Sequence, residues 1–261
     1  MKTTALADTA LTIAAAASAE ALRHFRTPLG VDFKADDSPV TRADRAVESA
    51  VRMLIGRHFP GQGIFGEEHG ITGDISDEMW IIDPIDGTRS FITGHPLFGF
   101  LLAKLRSGRA ELSVVGLPAL NETYLALRGG GTRCNGAPIR CSGQTRLDQA
   151  TVYINEGERI FADAPALFAR LMTTGRTRRF AYDCYPYALL AAGHVDVVID
   201  HGLQPYDTIP VSLLVEEAGG VMTDWQGAPL GMGADTNTIA AATPELHAAM
   251  LDMLRETGAR G

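Results

Sequence analysis

Apolar residues recur along the chain at two periods, and the changes of period mark its elements. Leu6, Ala10, Ile13, Ala17, Ala21 and Phe25 fall at helical spacing, with Asp8, Glu20 and Arg23 off that stripe. The pattern predicts an amphipathic helix packed on a core. Residues 43–58 predict a second helix, with Val47, Val51, Leu54 and Ile55 on one face. Between the two, the polar run from Lys34 to Asp44 is turn-prone and reads as a loop. Strand signals follow at 64–68, which ends in Glu67 and Glu68, and at Trp80-Ile81-Ile82, then at 98–105, 112–115 and 123–127. Gly129-Gly130-Gly131 marks a turn. Beyond it, strands at 151–154, 195–200, 221–225 and 238–242 alternate with helices at 165–173, 186–192, 208–218 and 244–255. Such alternation favours covered sheets in a layered α/β arrangement. No repeat or low-complexity linker interrupts it. Residues 1–261 are therefore expected to form a single unit, with an α+β half over about 1–140 and an α/β half over about 141–261.

Charge narrows the possible partners. Lys and Arg number 23 against 31 Asp and Glu, a formal charge of −8. A chain this acidic has no bulk attraction for nucleic acid or for an anionic membrane surface. If its substrate is anionic, something other than the protein must supply positive charge. No apolar run is expected to reach the ~20 residues of a membrane span. Ala17-Ser18-Ala19 imitates a signal-cleavage site, but Asp8 interrupts the approach and alanine is only weakly apolar. The three cysteines, Cys134, Cys141 and Cys184, form no C-x-x-C pair. They read as free thiols in a reducing compartment, which points to the cytoplasm.

Acids are concentrated at the ends of elements. In Trp80-Ile81-Ile82-Asp83-Pro84-Ile85-Asp86-Gly87-Thr88 the apolar strand is expected to stop at Asp83, because Pro84 cannot donate to the sheet. Asp86-Gly87-Thr88 then reads as a helix start with backbone N–H groups pointing outwards. Two carboxylates beside such a terminus suit a hard divalent cation next to a phosphate. Turn and capping roles explain the same residues taken singly. Glu67, Glu68, Asp44 and Asp207, the last expected at an N-cap with Pro210 in the first turn after it, tip the balance toward metal. Other chemistries fit less well. A phosphatase using Asp-x-Asp needs its two acids on one strand face, and a spacing of three from Asp83 to Asp86 turns that face around. There is no G-x-x-x-x-G-K-[ST] loop, no full dinucleotide fingerprint and no H-x-x-x-H pair.

Gly66-Glu67-Glu68, the 80–88 motif, Pro205-Tyr206-Asp207 and Glu216-Glu217-Ala218-Gly219-Gly220 together resemble the inositol monophosphatase superfamily over nearly the whole chain. The resemblance implies a layered αβαβα sandwich of the inositol monophosphatase and fructose-1,6-bisphosphatase type, two to three Mg2+ ions per site and a homodimer. It implies Glu67, Asp83 and the carbonyl of Ile85 as ligands of one ion, and Asp83, Asp86 and Asp207 as ligands of a second. A third, weaker ion is implied near Glu67, within reach of Asp44. Thr88 with Asp44 resembles the pair that deprotonates the attacking water, the N–H groups of Gly87 and Thr88 the phosphate cradle, and Asp200 a contact to the leaving alcohol. Lys34 matches a loop lysine of the family. Arg89-Ser90 and Tyr182-Asp183 depart from the inositol-specific pattern and resemble the histidinol-phosphate phosphatases. The expected substrate is a small phosphomonoester, histidinol phosphate first, with Arg89, Asp183 and Asp200 beside it. Inositol 1-phosphate and 3′-phosphoadenosine phosphate are the enzymatic alternatives, and a catalytically silent binding module of the same fold is the non-enzymatic one.

Overall fold

The structure is a computed structural model and describes residues 3–28, 30–33, 39–233 and 237–259. Residues 34–38, Lys34 among them, lie outside the described residues; the rest of the expected Lys34–Asp44 loop is not loop but a short strand, Pro39–Thr41, and the start of a helix at Arg42. In chain order the elements are α1 (Thr3–His24), β1 (Val31–Phe33), β2 (Pro39–Thr41), α2 (Arg42–His58), β3 (Gln62–Gly66), β4 (Gly70–Thr72), β5 (Asp74–Asp86) and α3 (Thr88–Ile92). Then come β6 (Gly99–Arg106), β7 (Arg109–Leu117), β8 (Glu122–Leu127), β9 (Gly131–Cys134), β10 (Ala137–Ile139) and β11 (Thr151–Ile154). The chain continues through α4 (Gly157–Asp163), α5 (Pro165–Leu171), β12 (Thr177–Phe180), α6 (Tyr185–Ala191) and β13 (Val197–Asp200). It ends with α7 (Pro205–Glu217), β14 (Val221–Asp224), β15 (Thr238–Ala241) and α8 (Pro244–Thr257).

Strand alternation builds the layers. One sheet of eight runs β10-β9-β8-β7-β6-β5-β3-β4, and another of five runs β12-β11-β13-β15-β14. Side chains i and i+2 share a face of a strand, so each sheet feeds two cores. Trp80, Ile82, Phe100, Leu102 and Val114 pack with the buried faces of α1 and α2. Their neighbours Met79, Ile81, Leu101, Ala103 and Val115 pack with α6 and α7 on the opposite face. Those helices also meet Val198 and Ala240 of the five-stranded sheet, whose other face sends Val197, Ile199, Ile239 and Ala241 towards α5 and α8. The order of layers is thus helix, sheet, helix, sheet, helix, as the family resemblance implied. Full burial of each large apolar side chain contributes roughly 1.5–3 kcal/mol.

Two expectations need correction. By length and a mean hydropathy of 1.3, Thr4–His24 could cross a membrane, so the chain does hold one run of that class. Its stripe Ala7, Ala10, Ile13, Ala14, Ala17 and Ala21 is buried in the fold, because small residues let α1 lie close on the sheet and α2. The second correction concerns Pro84. The strand does not stop there. β5 continues to Asp86, with Asp83 opposite Leu101 and Asp86 opposite Gly99 of β6. Three steps on β5 match two on β6, which is a β-bulge. The bulge takes up the residue that cannot donate.

Candidate metal centre

The bulge decides the geometry of the acids. Counted along β6, Asp83 and Asp86 are two residues apart, so the extra residue that should have turned their faces apart is absorbed. Asp207 reaches the same point from α7. The sequence placed it at an N-cap, but Pro205 starts the helix, Gln204 is the cap and Asp207 is the third residue. One Asp207 oxygen accepts from the Gln204 amide at 2.7 Å. Pro210 consequently lies in the interior of α7 and not in its first turn. Ligand oxygens of Asp83, Asp86 and Asp207 lie within 4.8 Å of one another.

Their electrostatics are unfavourable as they stand. Asp83 is 2% exposed. Burial, and after it the charges of Glu67, Asp86 and Asp207, holds its carboxyl well above the usual carboxylate range. Asp86 is raised in the same sense by burial and then by Asp183 and Asp207, although the Cys184 amide donates to it at 2.5 Å. Converging oxygens with little compensating positive charge are what a hard divalent cation requires, so the residues fit the implied Mg2+.

The other named residues gather around this point. Glu67 follows β3 in the turn to β4 and, with Ile85, Gly87, Thr88, Arg89, Asp183 and Asp200, lines an open cleft of about 200 Å³. Gly87 adopts φ +81 and caps α3. A Cβ there would lie 2.3 Å from Cγ of Asp183, so only glycine admits that side chain beside the motif. Asp44 is fully buried as the third residue of α2. Its Oδ2 accepts from the Thr41 amide and hydroxyl at 2.8 and 2.6 Å. Its Oδ1 accepts from the Thr88 hydroxyl at 3.2 Å, and the same hydroxyl lies 3.3 Å from the Ile85 carbonyl. The pairing of Asp44 with Thr88 is therefore present in the fold.

The cleft lining also carries Asp183, which lies beside Asp86 and Gly87, together with Asp200 and Glu156. Asp183 has φ +61, a strained conformation for a residue with a side chain, and accepts from the Ser90 hydroxyl at 2.5 Å. Burial raises its carboxyl to about 6, with Ser90 acting in the other direction. Asp200 accepts from Asn155 at 2.8 Å, Tyr187 at 2.9 Å and the His201 amide at 2.8 Å. Burial still pushes it up to about 7. Sequence reasoning did not single out Glu156 or Arg159, which line the cleft. Their side chains approach to 3.2 Å. Glu156 adopts φ +44 before α4, and no short motif signals such a position. His95, a short way beyond the 80–88 motif, is exposed and absent from the lining.

Comparison with known proteins gives these features a context. The model of the inositol monophosphatase family matches residues 2–259. The chain belongs to the inositol monophosphatase family. It is 40% identical over 222 residues to a histidinol-phosphatase of Chlorobaculum parvum, covering 84% of this chain and 85% of that one. It is 33% identical over 251 residues to the Nus factor SuhB of Escherichia coli, covering 90% of each. Among solved structures, an inositol monophosphatase from Zymomonas mobilis superposes with a TM-score of 0.87 at 34% identity, covering 98% of this chain and 99% of that one. Family membership makes the protein a metal-dependent phosphomonoesterase for small substrates. The three relatives bear three different names, so overall likeness leaves the substrate open.

Proposed function

We propose that this chain hydrolyses histidinol phosphate to histidinol and phosphate. The observation that carries the proposal is the 2.5 Å bond from Ser90 to Asp183. Arg89-Ser90 and Tyr182-Asp183 are the two places where the sequence leaves the inositol-specific pattern, and this bond makes them one feature. It aims a carboxylate into the cleft where inositol would offer only neutral hydroxyls. Histidinol phosphate carries an ammonium and an imidazole, and a charge-assisted contact to such a group is worth about 1.5–3 kcal/mol. Asp200 already holds three donors, so it adds negative potential to the cleft more than a direct contact.

Two to three divalent ions, when bound, supply the charge that lowers the pKa of a water and stabilises the leaving oxygen. The remaining work falls to the chain. Glu67, Asp83, Asp86, Asp207 and the Ile85 carbonyl would hold the ions. Thr88, fixed by Asp44 through Oδ1, is placed to accept the proton of the attacking water while its own hydroxyl proton passes to that carboxylate. Asp44 is itself fixed by Thr41, so the pair does not reorganise as charge develops. The N–H groups of Gly87 and Thr88 face the phosphate oxygens, and Arg89 at the rim offers a further positive group. The ions also resolve the charge balance, since three of them would bring the formal charge from −8 to about −2.

A homodimer and a cytoplasmic setting belong to the same proposal. The exposed aromatic side chains of Phe161, Phe180 and Tyr182 support the former. The free cysteines are in keeping with the latter. Side-by-side phosphate release from histidinol phosphate, inositol 1-phosphate and 3′-phosphoadenosine phosphate in Mg2+ tests the substrate. Histidinol phosphate is expected to give the highest kcat/KM. Preference for inositol 1-phosphate would replace the proposal with its main alternative, and no turnover of any ester would favour a silent binding module.

A further inference from the structure

The carboxylate of Glu48 sits in the middle of α2 and is fully buried. All three of its hydrogen-bond donors belong to, or brace, the turn that carries Glu67. Oε2 accepts from the Glu68 amide at 2.7 Å. Oε1 accepts from the His69 amide at 3.3 Å and from Arg52 Nε at 2.7 Å. Arg52 then reaches across the turn, donating to the Gly70 carbonyl at 2.5 Å and to the Thr72 hydroxyl at 2.8 Å. A single ion pair thus holds the two amides after Glu67 and the carbonyl that closes the turn. On the other side, the amide of Glu67 donates to the Ile82 carbonyl at 3.2 Å, one residue before Asp83. Gly66 completes the arrangement. A Cβ there would lie 2.1 Å from Oε1 of Glu48 and 2.9 Å from Arg52, so the missing side chain is what lets the pair lie beneath the turn.

A buried ion pair is a weak device for stability alone, since well-packed apolar residues of similar volume often match it. Its location gives it another use. The geometry points to Glu48 and Arg52 as positioning residues of the metal centre, fixing the backbone that aims Glu67 at the cation shared with Asp83. This rests on the metal-dependent reading of the site and assigns Gly66-Glu67-Glu68 as a built unit. The glycine admits the brace, the first glutamate lines the cleft where an ion would bind, and the amide of the second is the handle.

The test is Mg2+ binding measured by titration calorimetry on the full chain, alongside steady-state kinetics. Glu48→Gln keeps the volume but sets an amide N–H against backbone N–H groups or Arg52. The Mg2+ dissociation constant is expected to rise roughly 10–100-fold, as for other outer supports of metal ligands. At saturating Mg2+, kcat and substrate KM are expected to return to within about twofold of the parent, because the chemistry itself is untouched. Wild-type affinity in a folded Glu48→Gln protein would overturn the assignment. So would a fall in kcat that Mg2+ does not rescue. If that variant does not fold, Arg52→Lys decides, since it keeps the charge but loses the reach to Gly70 and Thr72. Several-fold weaker Mg2+ binding supports the assignment, and unchanged binding overturns it. A parent protein that binds no Mg2+ would instead refute the metal-dependent reading, which keeps the two failures apart.

Discussion

Asp83 and Glu48 are both carboxylates removed from water, 2% and 0% exposed, and their surroundings are opposite. Glu48 is met by Arg52 and two backbone amides. Asp83 receives the Ile85 amide at 3.0 Å and otherwise faces Glu67, Asp86 and Asp207. Burying a charge is costly unless partners compensate it. Glu48 has its partners within the protein, so its burial is complete as folded. Asp83 has been given company of its own sign, so its burial is complete only with a cation. The identity of neighbouring atoms, more than the degree of burial, separates a structural acid from a ligand.

The largest effects should invert between these two residues. Glu48→Ala leaves the half-buried Arg52 and the amides of Glu68 and His69 without their acceptor and should cost about 3–5 kcal/mol of stability, read as a fall in the denaturant midpoint of the metal-free protein. Asp83→Asn should leave the metal-free protein as stable as the parent or more so, since it removes a repelling charge. The same variant should retain under ~1% of phosphate release even in high Mg2+. If Asp83→Asn collapses the metal-free fold, or keeps near-normal turnover, the contrast fails.

Mg2+ itself is the next lever. Chelation should abolish turnover. Adding Mg2+ at 100 times its dissociation constant should stabilise the parent by about 2.7 kcal/mol per independent site, with little gain in Asp83→Asn. Equal gains in both would mean that the ions bind elsewhere.

The contrast between the two acids was only half legible in the sequence. The layers were readable, because alternation in β5 and β6 and the stripe of α2 are local patterns. Acids clustered at element ends pointed to a metal, Glu68 and Asp44 among them, and the joint set Glu67, Asp83, Asp86 and Asp207 was singled out by the family resemblance. The bulge was not, since it shows only when Asp83 and Asp86 are counted against Leu101 and Gly99. Glu48 looked like any polar helix position. Its role depends on Glu68 and His69, about twenty residues further along the chain. The Ser90 to Asp183 bond spans 93 residues, so two local oddities became one feature only in three dimensions. β12 was missed because Thr177, Arg178, Arg179 and Phe180 are all exposed and carry no buried pattern.

Beside the metal acids the same contrast predicts a smaller, selective effect. Asp183→Ala should lower kcat/KM for histidinol phosphate roughly 10–100-fold, the equivalent of the contact's 1.5–3 kcal/mol. A generic phosphomonoester should be hydrolysed nearly as before. Equal losses on both substrates would make Asp183 a structural turn residue.

The smallest effect concerns Asp200, which lies between the two extremes. It has three donors, yet burial raises its carboxyl from 3.8 to about 7. A raised acid binds more protons folded than unfolded, so its contribution to stability is fully present below about 4 and is lost as pH rises towards 7. The parent should therefore lose stability across that window relative to Asp200→Asn, which cannot ionise there. Both proteins should be melted in saturating Mg2+, so that the metal acids stay ionised and drop out of the difference. The difference between the two stability curves should slope between pH 4 and 7 and flatten above it. A flat difference throughout would mean that the three donors fully compensate the charge, and would move Asp200 into the class of Glu48.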